Sequence, residues 1–383
     1  MNSAKQETSS DVIVVGAGLI GLACAWELQA RGAKVRVFEK RTPGCGATRV
    51  AGGMLAPVGE LDFGEPELLE LNLRSRALYP GFVDSVESAA GCDAGFRLTG
   101  ALHVALDHDE AGELKRIAGL QRSHGLETAW LGPMAARDLE PGLSPSLAGA
   151  VLVEEDSVVD PRALAAGIAA GLEAAGAGVI PAEVTALLRG DSGQVAGVET
   201  SAGEFRAPVV VAAPGAEAGV SEWLPAGLRP PVRPVKGQVV ELRGSADDPA
   251  CERILGSERV YLAPRPDGRL IVGATVEEMG FDSRVTGGGV HELLREAYRL
   301  LPDVAEMEFV GAIAGFRPGT PDNIPLIGRS AVEGLLFATG HYRNGILLAP
   351  VTARAIADLT EGREPEGLAA ANPGRFNEPG VPN

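Results

Sequence analysis

A six-residue glycine pattern, Gly16-Ala-Gly18-Leu-Ile-Gly21, constrains this chain more than any other feature. It follows a β-branched run, Asp11 to Val15, and opens a segment of helical spacing, Gly21 to Arg31, that Gly32 closes. A second alternating run, Lys34 to Phe38, predicts another strand with Glu39 at its end. Strand, helix and strand make a βαβ unit with a right-handed crossover. Within it Gly16 permits the tight turn, Gly18 lets the backbone approach a diphosphate, and Gly21 allows close helix–strand packing. The diphosphate would face the positive end of the first helix. Glu39, 18 residues after Gly21, can accept hydrogen bonds from ribose hydroxyls and disfavours a 2′-phosphate. The unit predicts a bound dinucleotide and does not separate FAD from NAD.

Composition narrows the function classes. The 383 residues carry 34 basic and 51 acidic side chains, a net charge of −17. That balance counts against nucleic acid and against anionic membranes. The length suits two or three domain-sized units with their own cores. The first ten residues are polar, without the apolar stretch of a secretory signal. No apolar run of membrane-spanning length is present, so the expectation is a cytoplasmic protein. Cys24, Cys45, Cys92 and Cys251 are scattered with no histidine at ligand spacing, so no metal is expected.

Along the chain, 67–90 reads as helix and 96–106 as two strands around a glycine turn. Asp160 and Pro161 read as the N-cap and first position of an alanine-rich helix. The runs VIPAEVTALL, QVAGVET and VVVAAPGA read as strands returning to a parallel sheet. Residues 231–281 are strand-rich, 335–340 is a buried strand, and 341–359 reads as one long helix. Nucleotide-type β–α segments at the start, middle and end predict a discontinuous domain. Its expected pieces are 1–84, 148–226 and 314–366, with 85–147 and 227–313 forming a second domain and 367–383 a loose tail. The fold class is α/β: a Rossmann-like domain beside a mainly antiparallel sheet.

The segment LLFATGHYRNGILLAP, 335–350, places a second set of backbone N–H groups near 343–347 at a positive helix end. Such an end suits the negative charge of a reduced isoalloxazine edge, and two helix ends far apart in sequence fit a cofactor as long as FAD. Here a likeness becomes specific. GAGLIG, ATRVAGGMLAP (47–57), RPVKGQ (233–238), YLAPRPDGRLIVGATVEE (261–278), AGFRPGTPDNIPLIG (314–328) and GHYRNGILLAP (340–350) together resemble the D-amino acid oxidase superfamily of flavoproteins. Within it the sequence is most similar to the bacterial glycine oxidases of thiamine biosynthesis.

That resemblance implies noncovalent FAD, with contacts carried onto Leu19, Ile20, Glu39, Lys40, Ala47, Thr48, Gly52, Gly53, Met54 and Val184. Gly340, His341, Tyr342, Arg343, Asn344, Gly345, Ile346 and Leu347 would cap the flavin edge. Arg317 sits in apolar surroundings before Pro318-Gly319; its guanidinium suits a two-bond fork onto a carboxylate, or a structural pair with Asp322. The resemblance implies the first, a substrate anchor. It carries a substrate contact onto Arg343 as well, against a simple surface arginine. Tyr261 either reaches the same carboxylate and closes the pocket or is an ordinary strand aromatic. Lys236 receives no role. The implied reaction is oxidative deamination of glycine, or of other small amines and D-amino acids, with hydride passing from Cα to the flavin. Oxygen becomes hydrogen peroxide, and the imine is hydrolysed or handed to thiazole synthase. A D-amino acid dehydrogenase or a sarcosine oxidase-like enzyme is the alternative, and a homo-oligomer is expected.

Overall fold

The computed structural model describes residues 9–59 and 66–376. Its first body is a six-stranded sheet in the order Leu326–Arg329, Leu335–Thr339, Val209–Ala212, Val12–Val15, Val35–Glu39 and Val179–Pro181. All neighbours are parallel except the first pair. The strand Val12–Val15 is buried at every position because both faces of the sheet are covered. Side chains alternate across a strand. Val12 and Val14 accordingly join a core with the helices Leu19–Ala30, Pro161–Ala174 and Ala349–Thr360. Ile13 and Val15 pack the other way, against Val184, Val198 and Phe205. Each such side chain contributes roughly 1.5–3 kcal/mol on burial.

That second face corrects an expectation. Of the runs read as returning to the parallel sheet, only Val179–Pro181 and Val209–Ala212 do so. Val184–Arg189, Val195–Thr200 and Gly203–Arg206 form a separate antiparallel meander covering the sheet. Their strand signals are local, whereas the choice of partner is set by which face needs covering.

The second body is an eight-stranded, mainly antiparallel sheet: Glu308–Gly319, Arg233–Arg243, Arg269–Gly273, Tyr261–Pro264, Ile254–Gly256, Ala101–Ala105, Gly149–Val153 and Ala129–Leu131. Only Ile254–Gly256 and Ala101–Ala105 run parallel. The helix Gly287–Leu300 seals one face through Leu293, Ala297 and Leu300. Gly149–Val153 and Glu308–Gly319 both belong to this sheet, so the expected boundary at 148 precedes one of its strands and the one at 314 falls inside another.

Two further expectations change at the C-terminal end. The helix begins at Ala349, not at 341. Gly340 at φ +76° and Tyr342 at φ +46° are left-handed, which a right-handed helix cannot contain, and Pro350 suits the first turn. The tail is packed through Phe376, with Leu368 and Ala371 buried. Arg375 anchors it by donating to both carboxylate oxygens of Asp322, at 2.8 and 2.9 Å, and to the carbonyls of Ile324 and Pro325. Residues 377–383 lie outside the described ones. Among the described residues no helix is long and apolar enough to cross a membrane.

Candidate active site

One cleft of about 2020 Å³ runs between the two bodies. That exceeds the 300–1,000 Å³ or so typical of drug-sized ligands, so an extended cofactor and a substrate both have room. At its nucleotide end, Gly16 has φ +104° and a β-carbon there would run into the Ala213 carbonyl. A β-carbon on Gly21 would overlap the Gly16 carbonyl, which is the close packing the third glycine was expected to allow. Gly18 has only Thr48 Oγ1 near, at 3.8 Å, and lines the cleft with Leu19 and Ile20.

Thr48 is buried and its Oγ1 accepts from the Leu19 N–H at 2.9 Å, so the short helix Ala47–Val50 caps the start of the first long helix. Glu39 accepts from the Ala17 and Arg41 N–H groups, both at 2.9 Å, and stands at the cleft wall. A carboxylate only accepts, and it has lone pairs left for hydroxyl donors. Lys40 lines the cleft as well, with its ammonium 2.7 Å from Glu217. Ala47, Met54 and Val184 complete this lining.

Gly52 and Gly53 are held from several sides. Gly53, at φ +70°, offers its carbonyl to the Val159 N–H at 2.9 Å. The Gly52 carbonyl accepts from Nη2 of Arg265, a residue only 5% exposed. Burial lowers the Arg265 pKa, partly offset by the charge of Asp160. The Tyr261 ring lies over Gly52 and over Gly273, leaving no space for a β-carbon at either. Arg265, Gly237 and Gly273 had no assigned role at the level of sequence. The available signal was their place inside the motifs RPVKGQ and YLAPRPDGRLIVGATVEE.

The turn 341–348 supplies the other side. His341 is 2% exposed and its Nε2 is 3.0 Å from Thr352 Oγ1; burial pushes its pKa down to about 3. The carbonyls of Ile346 and Leu347 accept from Tyr79 and Ser75. The Leu347 N–H lies opposite the Ile346 carbonyl in one peptide plane, so it points away from Tyr79. His341, Tyr342, Arg343, Gly345 and Ile346 line the cleft, whereas Gly340, Asn344 and Leu347 do not, and neither does Gly21. Arg343 is exposed, with its guanidinium 5.5 Å from the Tyr342 ring centre.

Arg317 lines the cleft from the strand Glu308–Gly319. Its Nη1 donates to the carbonyls of Thr275, at 3.1 Å, and Lys236, at 3.4 Å. Among the described residues no carboxylate pairs with it, since Asp322 is taken by Arg375. The structural alternative for Arg317 is therefore wrong. An arginine fixed by carbonyls and open to a cleft is a ready fork for an external carboxylate.

A glycine-lined helix start and an arginine-bearing wall on one cleft fit a flavoprotein oxidoreductase built of two such bodies. The chain belongs to the FAD dependent oxidoreductase (DAO) family, matching it over residues 11–359. It is 38% identical over 358 residues to a glycine oxidase of Geobacillus kaustophilus, covering 92% of this chain and 93% of that one. The crystal structure of glycine oxidase from Geobacillus kaustophilus superposes with a TM-score of 0.89 at 37% identity, covering 96% of this chain and 99% of that one. A bifunctional protein ThiO/ThiG of Trichormus variabilis is 37% identical over 352 residues, 91% of this chain and 52% of that protein. This chain thus spans about half of the bifunctional relative. It is an FAD-dependent oxidoreductase.

Proposed function

We propose that this enzyme oxidises glycine, with other small amines as secondary substrates, to the imine, which water then hydrolyses to glyoxylate and ammonia. The observation that carries the reading is Arg317: a guanidinium held by two backbone carbonyls, open to the cleft, without a carboxylate partner among the described residues. The similarity to glycine oxidases supports the choice of amine.

The open Gly18 position, the capped helix start and the accepting carboxylate of Glu39 fit an FAD diphosphate and adenosine ribose. Leu19, Ile20, Lys40, Ala47, Thr48, Gly52, Gly53, Met54 and Val184 would hold the remainder, with His341, Tyr342, Arg343, Gly345 and Ile346 at the flavin edge. The six-stranded body would hold the cofactor and the eight-stranded body would shape the substrate side. When bound, FAD supplies the two-electron acceptor for the Cα hydride and is reoxidised by oxygen to give hydrogen peroxide. Arg317 pins the carboxylate, and Tyr261 and Arg343 close the pocket around it. Orientation is the protein's main contribution, because a fixed carboxylate places Cα within reach of the acceptor. No side chain needs to take a proton from Cα, and His341 is buried and neutral, which suits packing and not base chemistry.

The half-length match to a bifunctional ThiO/ThiG relative supports hand-over of the imine to a thiazole synthase in thiamine biosynthesis. A cytoplasmic homo-oligomer is the setting we infer. Anaerobic mixing with glycine will bleach the flavin absorbance; an enzyme that stays yellow under saturating glycine would sink the assignment. Turnover with a dye but without oxygen uptake would make it a dehydrogenase instead.

A further inference from the structure

Lysine is almost never fully buried unless paired, yet Lys236 is 1% exposed. Its Nζ lies 3.2 Å from Glu277 Oε2. The two residues are also joined through the backbone, each N–H donating to the other's carbonyl at 2.9 Å. The second oxygen of the same carboxylate, Oε1, accepts from Gln238 Nε2 and from the Thr275 hydroxyl, both at 2.6 Å. Gln238 N–H donates to Thr275 Oγ1 at 2.9 Å, and Thr275 N–H returns a bond to the Gln238 carbonyl at 3.2 Å. One carboxylate therefore binds the strand Arg233–Arg243 to the segment that leaves Arg269–Gly273.

These two segments carry the carbonyls of Lys236 and Thr275, which together receive Arg317 Nη1. Neither Lys236 nor Glu277 lines the cleft, so neither touches a ligand there. Burial works to raise the Glu277 carboxyl, but hydrogen bonds from Thr275, Gln238 and Lys236 outweigh it and keep the group charged.

We propose that Glu277, paired with buried Lys236, is the positioning residue for Arg317: it fixes the two carbonyls that aim the guanidinium at the substrate carboxylate. The proposal rests on the reading of Arg317 as that anchor. Without the Glu277 carboxylate, Thr275 and Gln238 lose their common acceptor, and the two segments keep their main-chain bonds but not the side-chain tie that sets the spacing of the two carbonyls. The guanidinium then swings, and a carboxylate ligand loses one arm of its fork.

The probe is hydroxyacetate, which keeps the carboxylate of glycine but has no oxidisable amine. Its binding is read from the flavin absorbance of the FAD-loaded enzyme, beside glycine KM and kcat, FAD affinity and melting temperature. Glu277→Gln and Lys236→Met should each weaken hydroxyacetate and raise glycine KM by about tenfold, as a small misplacement of an anchoring group does. The kcat at saturation and FAD affinity should stay within about twofold. Because a single change leaves one charge of the pair unmatched, the double variant Lys236→Met/Glu277→Leu is included. It should recover part of the melting temperature, since an apolar pair removes the unmatched charge while Gln238 and Thr275 still lack their acceptor, without recovering hydroxyacetate affinity. Recovery of both would reduce the pair to a structural role and overturn the proposal. So would unchanged hydroxyacetate binding in the single variants while Arg317→Leu loses it. If Arg317→Leu itself binds hydroxyacetate normally, the anchor reading fails instead.

Discussion

The guanidinium of Arg317 lies on the bare Cα of Gly237, where a β-carbon would stand 2.5 Å from Nη1 and 2.8 Å from Cζ. Gly237 pairs with Gly315 two positions along the same two strands, so the arginine crosses diagonally to reach it. Gly237→Ala leaves the strand backbone unstrained but must push the guanidinium away from the Thr275 and Lys236 carbonyls. Glycine KM should rise at least tenfold, about 1.4 kcal/mol of lost binding, with FAD affinity unchanged. Steady-state kinetics beside a flavin titration checks this; a normal KM would show that Arg317 is not held there for the substrate.

Gly53→Ala should fail differently. Gly53 has φ +70°, and its β-carbon would overlap the Val159 carbonyl and sit 2.8 Å from Pro161 Cδ and 2.9 Å from Arg265 Nη2. Backbone strain and collision add, at about 1–3 kcal/mol for the conformation alone. The variant should lose that stability in denaturant unfolding and release FAD on gel filtration. Retention of flavin at wild-type stability would remove Gly53 from the cofactor wall.

The contrast between these glycines explains what was legible in the sequence. Gly16, Gly18 and Gly21 announce themselves because their spacing, the preceding strand and the following helix are all local. Gly237 carries no such mark: its reason is a guanidinium that arrives from 80 residues away. Arg317 and Asp322, five apart, looked like a possible turn pair, but Arg375, 53 residues after Asp322, takes the carboxylate with both arms. The helix expected from 341 starts eight residues later because Tyr342 is left-handed without being a glycine, and composition gives no warning of that. Lys236 stayed without a role because its partner Glu277 is a neighbour in a β-bridge, not in sequence.

Arg375→Ala tests the packed tail. The Arg375 side chain is 17% exposed and Asp322 35%, so this fork is shielded more than a surface pair. Burial raises the Asp322 carboxyl, but the Arg375 hydrogen bonds lower it further. Losing the guanidinium also takes a donor from the Pro325 carbonyl and leaves the Ile324 carbonyl with the Thr320 hydroxyl, at 2.9 Å. A stability loss of about 1–3 kcal/mol is expected in urea unfolding. Glycine KM should not move, since Arg317 does not use Asp322. A change in KM equal to that of Gly237→Ala would contradict that separation.

His341 sets a pH dependence of stability. Folded, the ring is buried with Thr352 Oγ1 as its polar partner among the described residues, and its pKa falls from 6.5 to about 3. In the unfolded chain it titrates at its ordinary value. Above that value both states are neutral and the group has no effect. As pH falls below it, the unfolded chain gains a proton that the folded one refuses, so stability declines until the folded pKa is reached. Between pH 6.5 and pH 5 this amounts to about 2 kcal/mol, at roughly 1.4 kcal/mol per unit. His341→Gln keeps a hydrogen-bonding side chain without a titrating group. Unfolding of the two apoproteins at pH 7 and pH 5 should therefore show a drop about 2 kcal/mol smaller in the variant. Equal drops would mean that the ring becomes protonated in the folded state and that the neutral packing role assigned to it is wrong.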